Sequence, residues 1–186
     1  VPEQAARERR VRVWEDHLFA LDAGDAAADW MTQRVGRSCR LVYMPESSRR
    51  LVDGIYARKG ETVSFADGFP LLLISTASLE DLSARMEQPV PMDRFRPNLV
   101  VDGCAPYAED GWARLAIGDV VFRNGGLCAR CGVTTVDQAT ARRSSNEPLR
   151  TLATYRKNEK GVVFGVNLVP ERPGTVAVSD EVTILD

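Results

Sequence analysis

The chain has 186 residues, 44% of them hydrophobic and 27% charged, the composition of an ordinary soluble domain with one good core. A formal net charge of -2 leaves no overall basic field, which sets nucleic acid aside and points to a small molecule or a protein as partner. No run approaches the roughly 20 apolar residues of a spanning helix, and four cysteines without regular pairing point to free thiols in a reducing, cytoplasmic setting.

Charged residues crowd positions 5–12, after which Val11-Arg12-Val13-Trp14 alternates as an edge strand does and Leu18-Phe19-Ala20-Leu21 forms a second short run. His17, beside Asp16, reads as a surface residue. Residues 25–35 predict a helix on the spacing of Ala27, Trp30, Met31 and Val35, closed by Gly36 in a left-handed cap and laid on a sheet. Residues 39–44 predict a strand stopped by Pro45. Residues 46–58 read as a solvated loop in which Ser48-Arg49-Arg50 forms a basic cluster able to approach an anion.

Turn chemistry over residues 65–70 leads into an apolar strand, 71–75. A helix follows over 78–86, with Ser78 as its cap and Asp81 in the capping-box position. Met92-Asp93-Arg94-Phe95-Arg96-Pro97-Asn98 reads as extended chain, so that Arg94, Arg96 and Asn98 share a face and form a fork for a phosphate or carboxylate. Pairing of the two arginines with Glu109 and Asp110 is an equally weighted alternative. Strands are expected at 99–101 and 120–122, with Cys104 in the turn after the first. A polar loop, a helix over 147–155, a strand over 162–169 and a final hairpin, 174–178 with 181–185, complete the chain. Many short strands and three helices that do not alternate with them predict a mainly β, α+β fold, a closed or strongly curved sheet with helices outside it. No phosphate-binding glycine loop, zinc-protease motif or serine-hydrolase elbow is present.

The chemistry concentrates in Asn124-Gly125-Gly126-Leu127-Cys128-Ala129-Arg130-Cys131-Gly132-Val133-Thr134-Thr135-Val136-Asp137, where two thiols flank a cation. A thiolate binds soft metals and acts as a nucleophile, and a guanidinium beside it favours its formation. Zinc would need two more ligands at finger spacing, and the chain offers only Cys39, Cys104 and His17. A redox disulfide wants a helix N-terminus, whereas the β-branched run after Gly132 predicts a continuing strand. One open thiolate at a strand edge is left, against the bland alternative of two half-buried hydrophobes in a turn.

Several motifs in order resemble the MOSC domain: Arg94-Phe95-Arg96-Pro97-Asn98-Leu99-Val100-Val101, Tyr107-Ala108-Glu109-Asp110-Gly111-Trp112, Cys128-Ala129-Arg130-Cys131 with Thr134-Thr135-Val136-Asp137, and Glu147-Pro148-Leu149-Arg150-Thr151-Leu152. The branch that looks most similar holds the bacterial YcbX proteins and the mitochondrial amidoxime reducing component. The resemblance implies a MOSC domain over 14–186 behind a short lead-in, 1–13, with the family's preceding β-barrel region missing. It implies a molybdenum cofactor, a Mo-pyranopterin, whose metal takes one protein thiolate, that of Cys131. It implies that Arg94, Arg96 and Asn98 hold the cofactor's phosphate and pterin, that Asp67, Gly68, Phe69, Ala129 and Arg130 line it, and that Asn167 lies near. The implied activity is reduction of N-hydroxylated small molecules, hydroxylamines and amidoximes, to amines, with electrons from an iron–sulfur or flavin protein. The alternative the family offers is a non-catalytic cofactor or sulfur carrier with a persulfide on Cys131. A pyridoxal phosphate association also attaches to the family.

Overall fold

The computed structural model describes residues 6–52 and 56–185. Part of the expected lead-in and of the 46–58 loop therefore lies outside the described residues. The chain forms two compact units, Val1–Gly68 and Phe69–Asp186.

In the first unit β1 (Glu8–Val13) and β2 (Asp16–Asp22) pair antiparallel across a two-residue turn, Trp14-Glu15, and β3 (Val42–Tyr43) pairs on the other side of β2. Tight hairpin turns need positive φ at a central residue, and Trp14 takes it, at 54°. Alternation along β2 buries Leu18, Ala20 and Asp22. Helix α1 (Asp25–Val35) ends as expected at Gly36, φ 70°, whose N–H donates to the Thr32 carbonyl. Its inward residue is the small Ala28. Trp30, two positions and about 200° around the helix, is 57% exposed and carries the Arg34 guanidinium over its ring at 5.5 Å. The strand expected over 39–44 shrinks to Val42–Tyr43.

The second unit is a seven-stranded, strongly curved mixed sheet in the order β10-β6-β7-β9-β4-β5, with β8 on β9. The strands are β4 (Leu71–Ser75), β5 (Leu99–Val101), β6 (Arg114–Ile117), β7 (Val120–Ala129), β8 (Lys157–Asn158), β9 (Gly161–Pro170) and β10 (Val182–Ile184). All pairs are antiparallel except β4 with β5, where α2 (Thr76–Ala84) lies in the crossover. α3 (Leu149–Leu152) is a single turn burying Leu152. The fold class read from the sequence therefore holds, a mainly β, curved sheet with three α-helices among the described residues. Local boundaries differ. α2 starts two residues early, and its cap moves by three, because Ser75, not Ser78, accepts the capping bond from the Ser78 N–H. Residues 174–178 form no strand, so the last hairpin is replaced by β10 pairing with β6.

Both faces of the central strands are apolar. Leu73, Val166 and Leu168 join Leu115, Ile117, Val120 and Phe122 in one core, while Ile74 and Phe164 join Leu82, Phe95 and Leu152 in another, on the side of α2 and α3. Phe164 and Val166 share parity yet serve opposite cores, because Gly165 between them takes φ 77° and shifts the alternation. A Cβ there would stand 2.8 Å from the Leu73 carbonyl oxygen, so only glycine fits. β7 shifts register against β9 twice, between Asn124 and Gly126 and between Leu127 and Ala129, the second slip falling at Cys128.

Candidate functional site

Residues 92–98 are not extended. Pro91 precedes one turn of 3-10 helix, Met92–Arg94, closed by successive bonds from the Arg94, Phe95 and Arg96 N–H groups to the carbonyls of Pro91, Met92 and Asp93. Side chains on such a turn do not alternate, and the expected shared face is lost. Arg94 turns inward, 8% exposed, and donates through Nε to the Thr134 carbonyl at 2.9 Å and through Nη2 to the Glu147 carbonyl at 3.4 Å. Arg96 stays exposed with φ 55° and borders a shallow hollow of about 440 Å³ with Met92, Asp93, Pro97, Val100 and Gln138. Asn98 is tied to β4, donating its N–H to the Leu72 carbonyl and accepting the Leu72 N–H on Oδ1, both at 2.9 Å.

The acids weighed as partners of these arginines are engaged elsewhere. Glu109, fully buried, accepts from the Ser75 N–H and from the Ser75 and Ser78 hydroxyls at 2.7–3.1 Å. Asp110 pairs with Arg156 at 2.6 Å.

The cysteine stretch also departs from a continuous strand. Cys128 lies in β7, Ala129 ends it, and Gly132–Thr135 coils into a 3-10 turn with Cys131 at its start. The β-branched run forms this turn because its hydroxyls serve the local backbone, as Ser and Thr side chains do in tight turns. Thr134 donates both N–H and Oγ1–H to the Cys131 carbonyl, at 3.3 and 3.0 Å, and Thr135 Oγ1–H donates to the Gly132 carbonyl at 2.6 Å. Cys131 is exposed, whereas Cys39, Cys104 and Cys128 are half-buried. Burial pushes the Cys104 thiol up, which makes it the less reactive kind.

Arg130 does not serve the two thiols equally. Its Nη1 donates to Cys128 Sγ at 3.1 Å, its Nη2 to the Phe95 carbonyl at 2.6 Å, and its guanidinium lies 5.6 Å from the Phe95 ring centre. Its Nε is buried with no partner among the described residues. From Phe95 an aromatic chain continues to Phe164 at 4.4 Å, Tyr107 at 6.4 Å and Tyr155 at 6.1 Å.

Asn167 sits half-buried in β9 between Leu72 and Gly126, and the Phe69 ring lies where a Cβ on Gly125 would stand. Asp67 and Gly68 belong to the first unit, where they border a cleft of about 780 Å³ with Trp14, His17, Arg49 and Lys59. That unit holds a correction. Arg50, expected in solvent, is buried, donating Nε to Asp16 at 2.6 Å and its Nη groups to the carbonyls of Ser64, Ala66 and Asp67. Sequence reading also missed Thr134, because a β-branched run after Gly132 reads as strand.

A curved mixed sheet that ends one long strand in a Cys-x-Arg-Cys turn defines the class: residues 60–183 match the MOSC domain, and the chain belongs to the MOSC domain family. It is 40% identical to mitochondrial amidoxime-reducing component 1 of Mus musculus, over 88% of this chain and 52% of that protein. With the Homo sapiens protein of the same name it shares 39%, over 95% and 56%. Molybdenum cofactor sulfurase of Oryza sativa subsp. japonica is 36% identical over 77% of this chain and 19% of its own length. The chain thus spans about half the length of the amidoxime-reducing relatives. These names overturn the expected cytoplasmic setting, since the relatives are called mitochondrial. Free thiols suit any reducing compartment, so composition could not separate the two. A pyridoxal phosphate association finds no support in these comparisons.

Proposed function

We propose that the full protein binds a molybdenum pyranopterin through Cys131 and reduces N-hydroxylated compounds, such as hydroxylamino bases and amidoximes, to amines. The observation that carries this reading is Cys131 itself, the one exposed thiol of four, at the head of a turn whose backbone is held by a buried guanidinium. The residues present fit the group. A thiolate is a soft donor of the kind such a metal takes, exposed Arg96 offers a planar fork for a phosphate, and the orphaned Arg130 Nε is a buried donor in want of an acceptor.

When bound, the molybdenum centre would supply two electrons and an acceptor for one oxygen atom. In the net reaction R–NH–OH, two electrons and two protons give R–NH2 and water. Cys131 Sγ would be the protein's ligand to the metal. Arg94, Arg96 and Asn98 would hold the phosphate and pterin, with Ala129, Arg130, Phe69 and Asn167 lining the group. Ala129 brings no hydroxyl, so it adds shape and no hydrogen bond. Electrons would come from an iron–sulfur or flavin protein. In the full-length protein Cys131→Ser should lose both bound molybdenum and hydroxylamine reduction, and retention of both would end this assignment.

The likeness to a molybdenum cofactor sulfurase supports a second reading, a carrier holding a persulfide on Cys131. Intact-protein mass spectrometry separates the two. A stable extra sulfur on Cys131 without pterin favours the carrier.

A further inference from the structure

Two arginines join the same two strips in opposite senses. Arg94, from the segment 92–98, donates to a carbonyl of the cysteine turn, at Thr134. Arg130, from the cysteine segment, donates to a carbonyl of the segment 92–98, at Phe95. Each strip thus grips the backbone of the other with a guanidinium, a charge-assisted contact in partly or fully buried surroundings. Arg130 also donates its own N–H to the Val162 carbonyl of β9 at 2.7 Å, which anchors the seam to the sheet.

The grip reaches Cys131 in two links. The carbonyl that Arg94 holds belongs to Thr134, and Thr134 in turn gives both of its donors to the Cys131 carbonyl. Thr134 is 1% exposed, so its two donors are shielded from competing water. On the other strip the clamped Phe95 carbonyl precedes Arg96, which is held at positive φ. Left unheld, a non-glycine residue in that region relaxes.

We infer that Arg94 and Arg130 form a reciprocal brace that fixes the backbone of Cys131 on one strip and of Arg96 on the other before any ligand arrives. Arg94 is then a positioning residue acting through Thr134, in addition to any contact with a bound group. This rests on the reading of Cys131 as the working thiol, and its test is made where no cofactor is present.

Full-length protein is purified from a host that makes no pterin cofactor. Amide exchange of peptides covering 128–136 and peptide-resolved iodoacetamide alkylation of Cys131 against pH are compared for the parent, Arg94→Met, Arg94→Lys, Thr134→Val and Thr134→Ser, with Arg96→Met as control. Exchange in the turn should quicken about tenfold in Arg94→Met and Thr134→Val, the factor one lost hydrogen bond corresponds to. The Cys131 alkylation profile should shift in the same two variants, return in Thr134→Ser, which keeps the hydroxyl, and stay put in Arg96→Met. Arg94→Lys retains the charge and one donor and should fall between, which keeps the test readable if the methionine variant fails to fold. Parent-like exchange and alkylation in the Arg94 variants, or no difference between Thr134→Val and Thr134→Ser, would overturn the brace. A parent protein that takes up no molybdenum would sink the functional reading while leaving these differences in place, so the two failures are distinct.

Discussion

Arg50 in the first unit and Arg130 in the second are both drawn into the protein, yet they use their donors differently. Arg50 turns every nitrogen toward protein oxygen, one carboxylate and three carbonyls. Arg130 gives one nitrogen to a carbonyl, faces a sulfur with another and leaves a third without a partner. Full satisfaction is what architecture requires, because each unpaired buried donor costs free energy. An incomplete shell beside a thiol supports the proposal that a bound group completes it.

The sharpest way to break this contrast is Arg50→Met. It removes the shared partner of three carbonyls and the Asp16 carboxylate, all on solvent-exposed residues, and a loss of about 2 kcal/mol is expected by chemical denaturation. A loss within a few tenths would show that Arg50 is no architectural hub. Arg130→Met should cost less, about 1 kcal/mol, because its shell is already incomplete. Its larger consequence is chemical. Without the guanidinium 3.1 Å from its sulfur, Cys128 should alkylate more slowly at neutral pH, and an unchanged rate would count against the pairing.

The smallest effect concerns acid. Arg40 first and Arg9 second hold the Asp22 carboxyl well below the usual carboxylate range. A carboxyl depressed in the folded state contributes stability above its unfolded value, near pH 4, and loses that contribution as pH falls through the folded value. Melting followed from pH 6 downward should therefore show a falling limb that Asp22→Asn flattens. Arg50 binds mainly carbonyls, which do not titrate, so Arg50→Met should leave that limb unchanged.

The regular part of this fold was open to reading from residues alone. The apolar run at 162–169 gave away β9, 120–122 gave away only the first three residues of β7, and Gly36 closed α1 where a left-handed cap was expected. The turns around the thiols were not open in the same way. Val133-Thr134-Thr135 has strand-like composition, and hydroxyl bonds to carbonyls three residues back join the backbone bonds in holding it as a turn. The tight turn after Pro91 hid for a related reason, since the alternation assumed for Arg94 and Arg96 has no local signal against it. Arg50 misled because its acceptors lie 14 to 17 residues further along the chain. The exposure of Cys131 agrees with an open thiol.

The two register slips in β7 carry a consequence for how this protein can vary among its kin. In a pleated ribbon the count of residues is itself information, because one position gained or lost sends every later side chain to the opposite surface. Between Asn124 and Ala129 that count has already been adjusted twice. This stretch should accept exchanges of residue type far more readily than changes in length, and natural variants that lengthen it should do so in compensating pairs.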